Sequence, residues 1–387
     1  MEIIVLNIGR SLQLSLYMFW EVLWPLILGF TLSAIVQALV SHKSMAKTLG
    51  SDDSKSLSLA TIFGIASSSC SYAAVALARS IFKKGASFTS VMVFELASTN
   101  LVIELGIILL VLLGWQFALA EWIGGIIMII LLSFIFRLTL SKTLVKEALR
   151  QAKKGLEGKM EGHADMDMSI TKGSFFSRLF STQGLTAVSH YFVMDLLSAW
   201  QDLVLGFLIA GVLAVFIPES FWRAFFFTNN HTLSFIVGPL IGPIVAIISF
   251  VCSIGNVPLA AVLWQGGISF GGVISFIFAD LIVLPILNIY RKYYGWKPMF
   301  YILGTFFITM AVAGYIVEFL FGLLRIIPTN RSIIIMANGI QWNYTTFLNI
   351  SFLILAFICI LRFFNTNGLG MLKMMKTPHN VMQHEGH

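Results

Sequence analysis

Charged residues are scarce in this chain. Asp, Glu, Lys and Arg make up 11% of the 387 residues, whereas soluble domains carry roughly 25%. Apolar residues reach 58%, and the mean hydropathy is +0.88. Several apolar runs are long enough to cross a bilayer, which takes about 20 residues, and they are continuous rather than alternating, which argues against a barrel. The composition therefore predicts an all-α polytopic membrane protein.

Motifs of nucleotide-driven and metal-dependent enzymes are missing as well. The sequence contains no Walker A motif, no dinucleotide-binding glycine fingerprint and no HExxH. Its three cysteines are an odd number without framework spacing, so disulfides are not implied. The net charge of +7 is not a nucleic-acid signal, because Lys and Arg lie between the apolar runs, where cytoplasmic loops collect them. We therefore expect no enzyme, no cofactor, no metal site and no nucleic-acid partner.

Nine apolar runs are candidates for transmembrane helices. They lie near residues 14–40, 57–82, 87–113, 116–138, 192–217, 232–264, 268–290, 299–324 and 345–364. The first is too long for a signal-peptide core and has no small-residue cleavage site after it, so we expect it to be retained. The run at 232–264 is longer than one crossing needs and contains two Gly-Pro pairs, which predicts a kink or a break.

A polar stretch divides the chain into two halves. We predict a membrane repeat at 1–140, a cytoplasmic linker at 141–190, a second membrane repeat at 191–325, and an extra transmembrane helix with a tail at 326–387. The predicted architecture is two homologous four-helix repeats with kinked or broken helices, plus one C-terminal helix.

The two halves share a sequence pattern. At an offset of 182 residues, Cys70 matches Cys252 and Gly85 matches Gly267. From Cys70 to Ala97, 11 of 28 positions are identical without a gap. Chance matching of Leu and Ile would not readily align Cys-Ser, Gly and Ser-Phe together, so we interpret the pattern as an internal duplication.

The distribution of basic residues predicts the orientation. With a cytoplasmic N-terminus, 15 of the 25 Lys and Arg residues lie inside, nine of them at 137–178. Arg291, Lys292 and Lys297 then fall outside, against the rule. Four spans between Gly85 and Gly267 would make the repeats parallel, whereas a hidden extra crossing would make them inverted and move these three charges inside. Both arrangements occur in transporters, and the sequence leaves both open.

Acidic residues occur inside two of the predicted spans. Glu95 and Glu104 lie in "FELASTNLVIEL", together with Thr99 and Asn100, and Asp280 lies mid-span in "SFIFADLIVLP". Ionisable side chains within a bilayer are costly and often functional. We therefore expect these five residues to serve coupling or a polar pathway, and the alternative is a structural hydrogen bond to a neighbouring helix.

Asp195 and Asp202 are two further acids, seven residues apart and hence on one helix face. Both stand at the beginning of the 192–217 span. We therefore expect them to form an interfacial, solvated face.

Both matched cysteines lie among small residues. Cys70 follows Ser69 and precedes Ser71 in "SSSCSYAA", and Cys252 opens "CSIGNVPLAA" four residues before Asn256. Small residues let helices approach closely or unwind around a cavity. We predict that these five residues bind substrate, with a thiol on each half meeting a soft, thiol-seeking compound. Simple packing is the alternative for a cysteine in a membrane helix.

Methionine and histidine collect in the linker and in the tail. The linker contains Met160, His163, Met166 and Met168, and the tail contains Met371, Met374, Met375, His379, Met382, His384 and His387. Thioether and imidazole groups bind soft metals. Their spacing fits no defined site, so we expect a tail without a bound ligand.

Two segments resemble a known family. Residues 67–106 and 252–285 resemble the predicted-permease family that includes the organoarsenical efflux permeases, and they are similar to a related group of copper or zinc efflux permeases. Each half of those proteins has a small-residue segment with Cys, a basic or Gly turn, and a polar helix. The matching positions here are Cys70, Gly85-Ala86-Ser87 and Glu95–Asn100, then Cys252, Gly267, Ser269 and Asp280. Many members carry Cys-Ser-Cys followed by Pro, whereas this chain has Ser69-Cys70-Ser71.

The resemblance implies a permease and covers most of residues 14–325. We expect a secondary transporter of the plasma or inner membrane. It would export a small thiophilic compound, such as a trivalent organoarsenical, by alternating access between the repeats, and confer arsenic resistance. Export of a heavy-metal ion (Cu, Zn or Hg) is the alternative, and a channel is a further one. The expected partners are the small-molecule substrate and membrane lipid, while the oligomeric state stays undefined.

The cysteine hypothesis predicts the effect of two substitutions. Serine is nearly isosteric with cysteine but lacks the soft sulfur. Cys70→Ser and Cys252→Ser should therefore each weaken export of a thiophile, measured as substrate uptake into everted membrane vesicles, at unchanged expression. Silent Cys→Ser variants together with a harmful Cys→Leu would assign both residues to packing.

Overall fold

The computed structural model describes residues 2–39, 47–67, 71–153, 168, 170, 174–217, 221, 225–226, 230–249, 253–331, 342 and 344–370. All regular elements within these residues are helical, which confirms the all-α prediction. The helices α1 to α15 are Glu2–Leu39, Ser54–Ser67, Ser71–Lys83, Phe88–Asn100, Ile103–Leu112, Trp115–Thr139, Lys142–Ala152, Phe175–Leu179, Thr182–Phe216, His231–Ser249, Ser253–Gly266, Phe270–Phe278, Leu284–Tyr294, Trp296–Leu323 and Tyr344–Asn365. A 3-10 helix at Ala279–Ile282 joins α12 to α13.

Helices α2 and α3 form a hairpin against α4. The Ser87 amide, just before α4, donates a hydrogen bond to the carbonyl of Leu49, just before α2, at 2.8 Å. Further along, Gly64 of α2 lies against Ala97 of α4, so the two helices run side by side in one direction. Helix α3 then returns to the start of α4, which it joins through a turn at Gly85. The hairpin therefore enters and leaves the membrane at one face.

Helices α10 and α11 repeat this arrangement against α12. Gly238 of α10 lies against Ser269, the residue before α12, and Gly242 lies against Ser275 within it. Helix α11 returns to the start of α12 through a turn at Gly267. This second hairpin also begins and ends at one face.

Glycines with positive φ mark equivalent turns in the two halves. Gly85 (110°) and Gly267 (106°) follow the hairpins, and Gly114 (102°) and Gly295 (97°) precede α6 and α14. Side chains rarely adopt this conformation, so glycine is the residue that fits. Each half thus has the same order of elements: a long helix, a hairpin, a span broken into two helices, and a second long helix.

The hairpins change the predicted number of crossings. Runs 57–82 and 232–264 were predicted to cross because they are long and apolar, but both turn back. Seven helices or helix pairs in the described part are long and apolar enough to cross, and one of them, Thr232–Ser249, is a hairpin arm. Helix α9 crosses as well, since it runs antiparallel to α1 and contains the apolar part Leu203–Phe216. Over the described residues the crossings are α1, α4–α5, α6, α9, α12–α13, α14 and α15, seven rather than nine.

Contacts between helices show that the halves are inverted. Ser15 donates to the Phe207 carbonyl at 2.8 Å, and Arg178, before α9, donates to the Leu39 carbonyl at 3.0 Å, so α9 starts where α1 ends. Three crossings per half reverse the direction of the second half. The first hairpin consequently enters from the face where α1 ends, and the second enters from the face where α1 begins.

This topology separates the basic residues by face. Among described residues, the N-terminal face holds Arg10, Arg325 and Arg331. The opposite face, which the linker leaves and rejoins, holds Lys47, Lys55, Arg79, Lys83, Lys84, Arg137, Lys142, Lys146, Arg150, Lys153, Arg178, Arg291, Lys292, Lys297 and Arg362. The rule that cytoplasmic loops carry the excess of Lys and Arg predicts that this second face is cytoplasmic. The cytoplasmic linker therefore stays a prediction, and the same rule now places the N-terminus outside, opposite to the arrangement used for the charge count from the sequence.

Thiol labelling tests this orientation. Cysteines introduced at Lys146, exposed on α7, and at Thr329, exposed beyond α14, lie on opposite faces. A membrane-impermeant maleimide added to intact cells should label Thr329→Cys and spare Lys146→Cys until the cells are permeabilised. The parent protein gives the background from native cysteines, and the reverse labelling pattern would contradict the assignment.

Candidate functional site

The two broken spans meet at their breaks. Helix α4 ends at Asn100, and the chain passes through Leu101 and an extended Val102 before α5. In the second half, the 3-10 helix leads to an extended Val283, and Pro285 then stands in the first turn of α13. Proline lacks the amide hydrogen that a helix interior uses and the first turn does not, so Pro285 fits the start of α13 that follows this break.

Asp280 of the second half is held by two residues of the first. Ser71 Oγ, at the start of α3, donates to one carboxylate oxygen at 2.6 Å. Asn100 Nδ2, at the end of α4, lies 3.4 Å from the other and also donates to Thr99 Oγ1 at 2.9 Å. All four side chains have zero solvent exposure. A hairpin, a span end and a 3-10 helix therefore converge on one carboxyl group inside the protein.

Glu95 forms a second link between the same two spans. Tyr290, on α13, donates its hydroxyl hydrogen to Glu95 Oε2 at 3.0 Å, and both residues are fully buried. Since Glu95 precedes Asn100 while Tyr290 follows Asp280, the broken spans cross in an antiparallel manner. The other carboxyl oxygen of Glu95 has no hydrogen-bond partner among the described residues.

The other predicted site residues are placed as follows. Glu104 is buried in the first turn of α5 and packs against Gly29 of α1. Asn256 is fully buried on α11 and accepts a bond from Ser249 Oγ at 3.4 Å, across the tip of the second hairpin. Ser69, Cys70 and Cys252 lie outside the described residues.

Sequence reasoning missed two residues of this region. Tyr290 lies in "LNIYRKYY", whose basic residues mark a span end, but its ring points into the protein and is fully buried. Glu121 lies within an apolar run, on α6, with zero exposure. The rule that singled out Glu95, an acid inside an apolar window, applies equally to Glu121.

Asp195 is a correction to the sequence reading. It was expected at a solvated interface, yet it is only 4% exposed. Gln37 donates to it at 2.9 Å and Ser33 at 3.2 Å, both from α1. The physical reason is that α9 begins at Thr182, ten residues before the predicted span, which carries Asp195 deeper than a span start would.

The folded chain has the features of an integral membrane transporter, with broken spans and hairpins that meet inside the protein. The chain belongs to the predicted permease family, whose model matches residues 7–319. It is an integral protein of the plasma membrane.

Two curated proteins are similar to it. A Mycobacterium tuberculosis protein named "Putative permease Rv2963" is 57% identical over 347 residues, covering 88% of this chain and 86% of that protein. The "UPF0718 protein YraQ" of Escherichia coli is 23% identical over 168 residues, covering 43% of this chain and 44% of that protein. No solved structure matches the chain significantly.

The Ser71–Asp280 bond has a measurable effect on stability. Ser71→Ala removes a donor from a buried carboxyl group and should lower stability by about 1–2 kcal/mol. Ser133→Ala is the matched control, because Ser133 on α6 bonds only the Ile129 carbonyl of its own helix among the contacts described. Thermal unfolding of both purified variants in detergent measures the difference. Equal unfolding temperatures would show that the Ser71–Asp280 hydrogen bond does not stabilise the protein.

Proposed function

We propose that this permease is a secondary transporter that exports a small thiophilic compound, such as a trivalent organoarsenical, by alternating access. One observation carries the proposal: Ser71 and Asn100 of the first half bind Asp280 of the second half at the broken span. Binding sites of secondary transporters lie near the bilayer midplane at the interface of two repeats, at discontinuous helices. Movement of one half against the other would make and break these bonds.

The matching elements support an inverted repeat as the moving unit. Helices α1 to α6 correspond in order to α9 to α14, and Ser87 and Ser269 cap the equivalent helices α4 and α12 with the same backbone conformation. In an inverted repeat, one half presents to one face of the membrane what the other half presents to the opposite face. If the two halves exchange their conformations, an inward-open state therefore becomes an outward-open one.

The thiophilic substrate rests on the chain positions of two cysteines. Cys70 directly precedes Ser71, which is fully buried and bonds Asp280. Cys252 directly precedes Ser253, which is 3% exposed. Each thiol is thus one peptide bond away from a buried residue at a hairpin tip. A thiol on each half suits a compound that binds soft sulfur ligands.

The buried acids Glu95 and Asp280 supply the coupling. A carboxyl group in a low-dielectric interior can bind and release a proton only when the protein lets water reach it. Alternating access provides that exposure in turn to each face. We therefore assign Glu95 and Asp280 to proton-coupled movement, with Asn100 and Thr99 as their polar neighbours.

Two substitutions and a substrate panel test the proposal. Everted vesicles would be prepared from cells that lack other arsenical exporters and express this permease. They would be incubated with trivalent organoarsenicals, arsenite, or Cu, Zn and Hg salts under an imposed pH gradient, and uptake into the vesicles would be measured. Vesicles with the wild-type protein should accumulate an organoarsenical. Glu95→Gln and Asp280→Asn should accumulate at least tenfold less and lose most of the pH dependence, at wild-type abundance in the membrane.

Other outcomes distinguish the alternatives. Accumulation of a metal ion without any organoarsenical would identify a heavy-metal ion as the substrate. Flux that does not saturate and ignores the pH gradient would indicate a channel. Wild-type rates and pH profiles in both variants would assign Glu95 and Asp280 to packing.

A further inference from the structure

Glu121 is a buried acid whose charge nothing in the described structure satisfies. It lies two turns into α6 and has zero solvent exposure. Neither of its carboxyl oxygens has a hydrogen-bond partner among the described residues. By contrast, Asp280 and Glu95 each accept a hydrogen bond. A structural acid would be expected to have such a partner, because burial without one costs several kcal/mol.

The surroundings of Glu121 connect the two breaks. One turn further along α6, Gly125 packs against Leu101, in the break between α4 and α5. The adjacent Gly124 packs against Phe278, the last residue of α12 before the 3-10 helix. This part of α6 therefore lies against both interrupted spans.

Two other acids interact with Glu121. Its electrostatic interactions are with Glu104, on α5, and with Asp280, in the 3-10 helix. The other titratable side chains on the helices that pack against α6 are Glu95 on α4 and Lys297, Tyr301, Tyr315 and Glu318 on α14. Lys297 lies 3.9 Å from Glu147 of α7. No basic side chain of the described residues forms an ion pair with Glu121. A negative charge on Glu121 would therefore be repelled by negative charges on Glu104 and Asp280.

The chemistry of this position fits a proton rather than a metal cation. Sodium and other hard cations need several oxygen ligands around one point. Gly124 and Gly125, on the next turn of α6, contact hydrocarbon side chains. The described residues contain no group of three or more His, Cys, Asp or Glu side chains that could hold a metal ion. A proton needs one oxygen, and it removes both the repulsion and the cost of a buried charge.

We propose that Glu121 is a proton-binding residue of the permease. In the conformation described it holds a proton on its carboxyl group. When movement of the halves opens the surroundings of Glu121 to water, the O–H bond breaks and the proton passes to water, which leaves a carboxylate. The link to transport rests on the proposed function, whereas the bound proton is a property of the protein without substrate.

Infrared spectroscopy tests the bound proton directly. A protonated carboxyl group has a C=O stretching band that a carboxylate lacks. Purified full-length wild-type protein at neutral pH should show this band, and Glu121→Gln should lose one component of it. Glu147→Gln, at an acid on α7 outside the membrane, is the matched control and should leave the band unchanged. An unchanged band in Glu121→Gln would overturn the proposal.

A second variant keeps the test valid if Glu121→Gln does not fold. Glu121→Met fills a similar volume without a polar group, so it should lose the same component and unfold at a temperature no lower than the wild type. A Glu121→Met protein that folds and keeps the full band would equally overturn the proposal.

Transport measurements separate this proposal from the proposed function. In proteoliposomes, both Glu121 variants should keep substrate exchange at equal concentrations but lose pH-driven accumulation. Wild-type accumulation in the variants would contradict a role of the Glu121 proton in coupling. A sodium requirement that the variants abolish would contradict a proton at Glu121. A lost infrared component in a protein that transports no organoarsenical would leave the proton assigned to Glu121 and reject the substrate.

Discussion

A carboxyl group inside a membrane protein must be satisfied by its neighbours, since neither lipid nor water is at hand to do so. Asp280 meets this requirement through Ser71 and Asn100, which belong to the opposite half of the chain. The hydrogen bonds therefore determine how the hairpin tip and the two broken spans sit relative to one another. Displacement of any of these elements would leave a buried charge or a buried donor without a partner, at a cost of several kcal/mol.

The same requirement governs the hairpins. A helix end leaves backbone amide and carbonyl groups unpaired, and such ends are tolerated at membrane depth only within protein or beside water. The arms that end at Ser67 and Ser249 do so against other helices of the bundle, where Ser33 donates to the Ser67 carbonyl at 2.7 Å. Small residues along the arms, such as Gly64 and Gly242, allow the close approach to α4 and α12 that this packing needs.

Much of the fold was predictable from the sequence, and the remainder was not for identifiable reasons. The length of the apolar runs indicated membrane helices correctly. It does not distinguish a helix that crosses the membrane from a hairpin, because both consist of the same apolar residue types. The charges at Arg291, Lys292 and Lys297 were the signal of inversion, yet an extra crossing and two hairpins explain them equally well. Among the site residues, Glu95 and Asp280 stood out as acids in apolar windows. Ser71 was predicted to contact substrate as a neighbour of Cys70, but its bond to Asp280 was not predicted. Tyr290 did not stand out at all, because hydroxyl residues are common and their pairing depends on tertiary contact.

Six crossings would return the chain to the face on which it began, and α15 adds a seventh. This helix packs on α1 and α9, where Asn349 donates to the Trp20 carbonyl at 2.7 Å and Arg362 donates to the Thr182 carbonyl at 2.9 Å. Its last turn therefore reaches the face from which the linker leaves and rejoins the membrane. Helix α7 ends at Ala152, before the linker, and α15 ends at Asn365, so the chain leaves the described helices on the same face at both points.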